Sequence, residues 1–372
     1  MRKHFRFFLL GFLFSPAPVF AQQKYSNEFL NIGVGSRAFG MSQSVISSVD
    51  DVTSGYWNPA GLTRLEGPVQ ASLMHSKYFA GLARYDYGGI AASVADNTAV
   101  MAFSVVRFGV DDIPDTSELI DLDGNINYDR VKSFSAADYA FILSYARNTK
   151  RRNQSVNQSD NESDKKSTVG LSYGANVKVI HRKVGEYGKS FGFGLDFGIQ
   201  YLYKHWSFGA MGRDITTTYN SWTYNADKLS SVYTATGNEI PKNSTELTYP
   251  RIVLGAAYSN RLNQNFGFTG EANLNLTTDG QRNVLISADP VSVDPTIGLE
   301  ADFKKTAFFR AGLGNIQKAT DFEGKQAYTY QPNMGVGIRI KNFCVDYALT
   351  DIGNSSDALY SNVFSVRLIF TK

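Results

Sequence analysis

Between residues 191 and 203 the chain alternates without a break. Phe191, Phe193, Leu195, Phe197, Ile199, Tyr201 and Tyr203 fall on one side; Gly192, Gly194, Asp196, Gly198 and Gln200 fall on the other. Strict period two places alternate side chains on opposite faces of a β-strand. The same pattern runs through Val169–Val179, Phe266–Leu276 and Met334–Ile340. Strands of soluble sandwiches are typically ~5–6 residues long. A strand that crosses a bilayer needs ~9–11 tilted residues, apolar outward and polar inward, and closure into a barrel removes the sheet edges that lipid would leave unsatisfied. The expected fold is all-β: a fourteen-stranded antiparallel transmembrane β-barrel, with a soluble β protein as the alternative.

Fourteen strands are read near 67–76, 83–94, 98–109, 135–147, 167–183, 189–203, 204–213, 250–260, 266–276, 296–303, 306–314, 333–341, 342–350 and 361–371. Their connections alternate in length. Short turns follow the second, sixth, eighth, tenth and twelfth strands. Long loops, 110–134, 214–249, 277–295 and 315–332, follow the third, seventh, ninth and eleventh. Short periplasmic turns and long outer loops are the outer-membrane arrangement. Two connections depart from it: the one after the fifth strand is short, and 148–166 after the fourth is long, polar and low in complexity, which reads as a disordered insertion.

The chain is basic overall, 37 Lys+Arg against 34 Asp+Glu. The excess lies in Arg2, Lys3 and Arg6, which precede an apolar run and a Val19-Phe20-Ala21 end, the layout of a secretory signal peptide over 1–21. Without it the balance is 34 against 34, so net charge gives no support for nucleic-acid binding. The single cysteine, Cys344, excludes an internal disulfide.

Residues 22–66 lack the alternation. Glycines 33, 35, 40, 55 and 61 mark turns or close backbone approach, Asn58-Pro59 reads as an N-cap followed by proline at the first helical position, and Tyr56 and Trp57 need burial. Structured chain of this length before a barrel predicts a plug inside the lumen, with the barrel itself over 67–372. The stretch FLNIGVGSRAFGMSQSVISSVDDVTSGYWNPAGL, with Gly33, Gly35, Arg37, Gly40, Met41, Tyr56, Trp57, Asn58, Pro59 and Gly61 as its marked positions, resembles the N-terminal signature of the PorV/PorQ family. YSNEFL at 25–30 is most similar to the second PorV-type subgroup, associated with type IX sorting. The resemblance implies a FadL-like barrel with an N-terminal hatch in the outer membrane of a Gram-negative Bacteroidota bacterium. It also implies an accessory, client-binding role in type IX secretion, with the large translocon barrel and secreted clients as partners.

Charges expected on the inner face are Asp138, Lys178, Asp196, Glu271, Glu300, Asp302, Arg310, Arg339, Asp346 and Arg367. Their mixed signs suit a salt-bridged wall that supports the plug better than a selective ion pore. Residues 121–129 form an acidic loop that resembles a calcium loop but lacks its sixth-position Gly and twelfth-position Glu, so an Asx-turn is the plainer reading. His75, His181 and His205 show no metal spacing and no G-x-S-x-G elbow is present. No metal, cofactor or catalytic residue is expected. Three functions follow: the type IX accessory role; FadL-like passage of a hydrophobic small ligand, which requires an apolar pocket beside the plug and a break in the wall; and a hydrolase acting on outer-membrane lipid.

Overall fold

The structure is a computed structural model that describes residues 26–94, 98–120, 124–149, 170–235, 237–239, 243–320, 325–350 and 361–371. The expected signal peptide, most of the 148–166 insertion and residues 121–123 of the acidic loop lie outside the described residues.

Sixteen strand segments are described: β1 Val69–Tyr78, β2 Ala83–Val94, β3 Ala99–Asp115, β4 Lys132–Asn148, β5 Gly170–Val184, β6 Gly188–Tyr203, β7 Trp206–Arg213, β8 Thr218–Tyr224, β9 Ser244–Thr248, β10 Arg251–Arg261, β11 Phe266–Thr277, β12 Ser292–Phe303, β13 Ala307–Thr320, β14 Gln326–Ile340, β15 Phe343–Thr350 and β16 Ser361–Phe370. Every described pairing is antiparallel. β1 pairs with β16, and β5 with β6, so the sheet closes on itself.

Two pairs of segments are each one bent stave. β7 pairs with β6 along Phe197–Tyr203 and β8 pairs with β6 along Gly188–Phe193, with residues 214–217 looped out between them. Asp214 and Thr217 there have φ of 53° and 59°. β9 and β10 are separated by Tyr249-Pro250, where proline offers no N–H to a ladder. Counting β7/β8 and β9/β10 once each gives a closed fourteen-stranded barrel.

The outer face is apolar. Phe191, Phe193, Leu299 and Ile338 are each more than half exposed, while the alternating Ser190, Asp196 and Gln200 are buried. An apolar exterior of this extent is an unfavourable surface in water and a suitable one in hydrocarbon. No described helix is long and apolar enough to cross a membrane, so any crossing is by strands.

The expected loops need correction. β3 runs to Asp115 and β4 starts at Lys132. β13 and β14 occupy most of 315–332, β12 starts at Ser292, and 214–249 contains β8, the helix α3 (Ala226–Ala235) and β9. In these extensions polar residues such as Thr218 and Asn220 occupy buried positions, so the hydropathy of the sequence stops alternating although the backbone ladder continues.

Residues 26–66 fold into two short α-helices, Ser36–Gly40 and Ser54–Trp57, and two 3-10 turns, Glu28–Asn31 and Pro59–Arg64. The wall encloses them. The Ser36 hydroxyl donates to Val363 O of β16, the Asn58 amide to Ile199 O of β6, and Asn176 of β5 to Gly55 O. Val34, Met41, Val52, Ala60 and Leu62 have no exposed surface. Wall glycines make the room: a Cβ on Gly209 of β7 would lie 2.6 Å from Ile46 O, and one on Gly312 of β13 would collide with the Met41 carbonyl carbon. The small inner face therefore receives a segment of chain instead of leaving an open pore.

Candidate functional site

Within the plug, Gly33 has φ +103° and a Cβ there would stand 3.1 Å from the Trp57 ring. That close approach lets Trp57 Nε1 donate to Val34 O at 2.8 Å, while the Tyr56 hydroxyl donates to Leu30 O. Arg213, at the end of β7, lies over both rings, 4.7 Å from Tyr56 and 5.4 Å from Trp57. Asn58 accepts from Ala60 N at 3.2 Å and donates to Ile46 O at 3.1 Å, with Pro59 opening the 3-10 turn. Met41 is buried between Gly298 and Gly312 of the wall, and Gly40 packs on Gly335 of β14. A Cβ on Gly61 would collide with Val49 O, and one on Gly35 would meet Thr53 at 3.4 Å.

Charged side chains pin this plug at several points. Arg37 clamps Glu300 of β12 with two hydrogen bonds, 3.0 and 3.2 Å. Glu300 also holds Arg310 of β13 at 2.6 Å, and Arg310 reaches Asp346 of β15 at 2.6 Å. Arg367 of β16 pairs with Asp51 of the plug. Burial alone would raise the Asp51 carboxyl, but Arg367 and the Thr53 donors outweigh it and hold the carboxyl below its ordinary value. At the short-turn rim, Arg339 pairs with Glu66; its hydrogen bonds, more than its charge, hold that carboxyl low.

Glu271 departs from the expected salt-bridged wall. It is 2% exposed and meets no cation within ion-pair distance among the described residues; its carboxylate accepts the backbone N–H groups of Ser47 at 2.6 Å and Ser48 at 3.0 Å. Lys178 sits between Asp196 and Asp214 at 2.7 Å from each, at the looped-out bend of the seventh stave. Asp138 pairs with Arg182, which also holds Glu246 of β9. Asp302 pairs with Arg261 at the short-turn rim. The ten expected inner charges thus lie in separate clusters. Arg37, Asp51, Arg182 and Asp214 were missed as partners. For Arg182 a signal existed, since it continues the inward parity of Lys178 and Ile180.

Above the plug, at the long-loop end, lies a chamber of about 460 Å³ whose lining includes Asn31, Phe39, Arg251, Asn275, Asp294 and Gln331. A second space of about 380 Å³ shares Glu28, Asn31, Arg251, Thr277 and Arg282 with it and reaches Leu247, Tyr249, Pro250 and Pro290. On that side β10 pairs with both β7 and β11, so the barrel is closed there, while β9 above it has β8 as its one strand partner among the described residues and keeps a free edge. The place of the space beside the plug matches the transport expectation, but its lining does not. Carboxamides, hydroxyls and charges dominate the larger chamber, with Ile32, Phe39, Tyr78 and Val284 as its apolar minority, while Leu247, Tyr249, Pro250 and Pro290 lie together beside β9.

His75 and His181 do not enter the lumen. His75 pairs with Asp86 at 2.7 Å on an exposed face, and His181 stacks on the outward Phe191 at 4.4 Å. No group of three or more His, Cys, Asp or Glu placed to hold a metal occurs among the described residues. In the acidic loop, Asn127 accepts from Asp129 N at 3.1 Å, which is an Asx turn.

No protein-family model matches the sequence, and no curated protein matches it. Solved structures do match. The Pseudomonas putida toluene transporter TodX aligns over 91% of this chain and 98% of its own, at 11% identity and TM-score 0.52. The CymD monoaromatic hydrocarbon channel aligns over 92% and 98%, at 12% identity and TM-score 0.52. A FadL homologue from Pseudomonas aeruginosa aligns over 89% and 97%, at 10% identity and TM-score 0.50. At these identities the likeness is one of fold, and the fold of this chain is the FadL-like barrel.

Proposed function

We propose that this chain is a plugged outer-membrane barrel that admits small molecules, with residues 26–66 as its hatch and no covalent chemistry of its own. One observation carries the reading: a chamber large enough for a small ligand lies directly on the plug and adjoins a second space beside the free edge of β9. The FadL-like fold shared with TodX and CymD, which are described as passing toluene and monoaromatic hydrocarbons, supports small-molecule passage over the other two readings. A hydrophobic solute would meet apolar side chains at the mouth formed by Leu247, Tyr249, Pro250 and Pro290, and polar ones further in.

The type IX accessory role, with a translocon barrel and secreted clients as partners, rests on the N-terminal resemblance alone; no family model matches the sequence, and the fold adds nothing to that role. Flux into proteoliposomes tests the proposal. A panel of glycine, glucose, maltose and toluene should include at least one solute that enters faster than into protein-free vesicles. No excess flux for any of them, together with a stoichiometric barrel partner on purification from native membrane, would transfer the assignment to the secretion role.

A further inference from the structure

The chamber above the plug is rich in one kind of side chain. Asn31 of the plug, Asn275 of β11, Asn315 and Gln317 of β13, and Gln331 and Asn333 of β14 all line it. A carboxamide offers two donors and an acceptor oxygen, and a sugar hydroxyl is likewise both donor and acceptor. A bare hydrocarbon would strip water from these groups and return no hydrogen bond, which is costly. An ion of one sign would want one dominant charge on the wall. Here the two signs face each other.

Arg251 makes no ion pair among the described residues; its guanidinium donates to Asn31 Oδ1 at 2.7 Å. Asp294 Oδ1 is buried without a hydrogen-bond partner among the described residues. Arg251 stands opposite Thr277, and Asp294 opposite Asn275 one inward position along β11. From ordinary strand spacings their Cα atoms are about 12 Å apart. The cation and the anion therefore flank a gap that a small polar molecule can fill.

Asn315 donates to Gln331 Oε1 at 2.9 Å, and Gln317 to Asn315 Oδ1 at 2.6 Å. This chain of amides fixes their orientation and leaves the Gln331 NH2 without a partner among the described residues. Phe39 and Tyr78 supply apolar surface for the C–H face of a ring. The volume, about 460 Å³, suits a small ligand.

We infer that the chamber binds a neutral polyhydroxylated ligand, a mono- or disaccharide, through the Gln331 and Asn275 amides and the separated Arg251 and Asp294 charges. The inference deepens the small-molecule reading by naming its ligand class. The test is saturation-transfer NMR on the full barrel in lauryldimethylamine oxide micelles, since maltoside detergents would occupy the site. Glucose and maltose are the probes and toluene the competitor. Saturable sugar binding that toluene does not displace is expected, weakened about tenfold or more in Gln331→Leu and in Asp294→Asn.

Absence of saturable binding to both sugars in the wild-type chain overturns the inference, as does binding unchanged in a folded variant; either variant suffices if the other fails to fold. Sugar binding without flux into proteoliposomes would overturn the transport reading and leave this one standing. Flux of other solutes without sugar binding would do the reverse.

Discussion

The contact that most directly ties plug to wall without a cation is Glu271 on the turn at Ser47-Ser48, and Glu271→Gln isolates it. Glutamine keeps the length and volume of the side chain, so packing is preserved. One carboxylate oxygen becomes an NH2 group that faces a backbone N–H, either at Ser47, now 2.6 Å away, or at Ser48, now 3.0 Å away. A hydrogen bond to a charged acceptor contributes about 1.5–3 kcal/mol, and leaving a buried donor unmade costs about 1–3 kcal/mol. These two figures describe one lost partner and are not summed. A loss of about 2–3 kcal/mol raises the local opening equilibrium roughly 30- to 150-fold. Hydrogen-exchange mass spectrometry on the micellar barrel reads this at the peptide covering residues 44–50. Faster exchange there, with the amides around Trp57 unchanged, describes a turn that opens alone; equal acceleration across 33–62 describes a plug that opens as one unit. Exchange at Ser47 and Ser48 within twofold of wild type, in a barrel that is still folded, would refute the role given to Glu271.

Other contacts give independent outcomes. The Asp51 carboxyl is held below its ordinary value of 3.8, so its contribution to plug stability is complete above that pH and is lost as pH falls through the depressed value. Limited proteolysis should show the plug loosening only below about pH 3.8, while Asp51→Asn should be loosened already at pH 7 and show no such step. Lys178→Met leaves Asp196 and Asp214 buried without their shared cation and should cost about 3–5 kcal/mol in denaturant unfolding; a cost below about 1 kcal/mol would mean water already solvates the bend. Lys304 and Lys305 both occupy left-handed backbone in the turn after β12, with φ 52° and 53°. Replacing them with Asn-Gly should stabilise the barrel by about 1 kcal/mol in the same assay, because those residues favour that conformation.

The parts of the fold legible in the sequence were those where lipid and plug impose opposite demands on the two faces of a strand. Phe191–Tyr203 is such a stretch: each outward residue is aromatic or aliphatic, each inward one small or polar, and it lies within the single strand β6. Strand ends beyond the apolar band were not legible. Gln326–Thr329 of β14 and Ile113–Asp115 of β3 carry no alternation of hydropathy, yet their backbones pair with the neighbouring strands β13 and β4. The inner charges were legible as a set but not as partners, because register decides contact. Glu300 stands opposite Arg310 in the β12–β13 ladder, and one step of slip would turn one of them to the lipid.

The inward glycines join these two kinds of information. Period two assigns Gly198, Gly209, Gly298 and Gly312 to the inner face and gives no reason for glycine there over serine or alanine. The plug supplies it, since side chains at those four positions would meet Asn58, Ile46, and Met41 twice. The plug sequence and the small-residue pattern of the wall are therefore two records of one packed surface. Above Asn31 and Gln43 the plug no longer fills the lumen, and the chamber begins, lined by Asn275, Thr277, Gln317 and Gln331 among others. Against the plug, glycines give room and larger polar groups such as Glu271, Gln200 and Asn176 spend their hydrogen bonds on plug backbone. In the chamber such groups face open space, as a surface that receives a separate polar molecule requires.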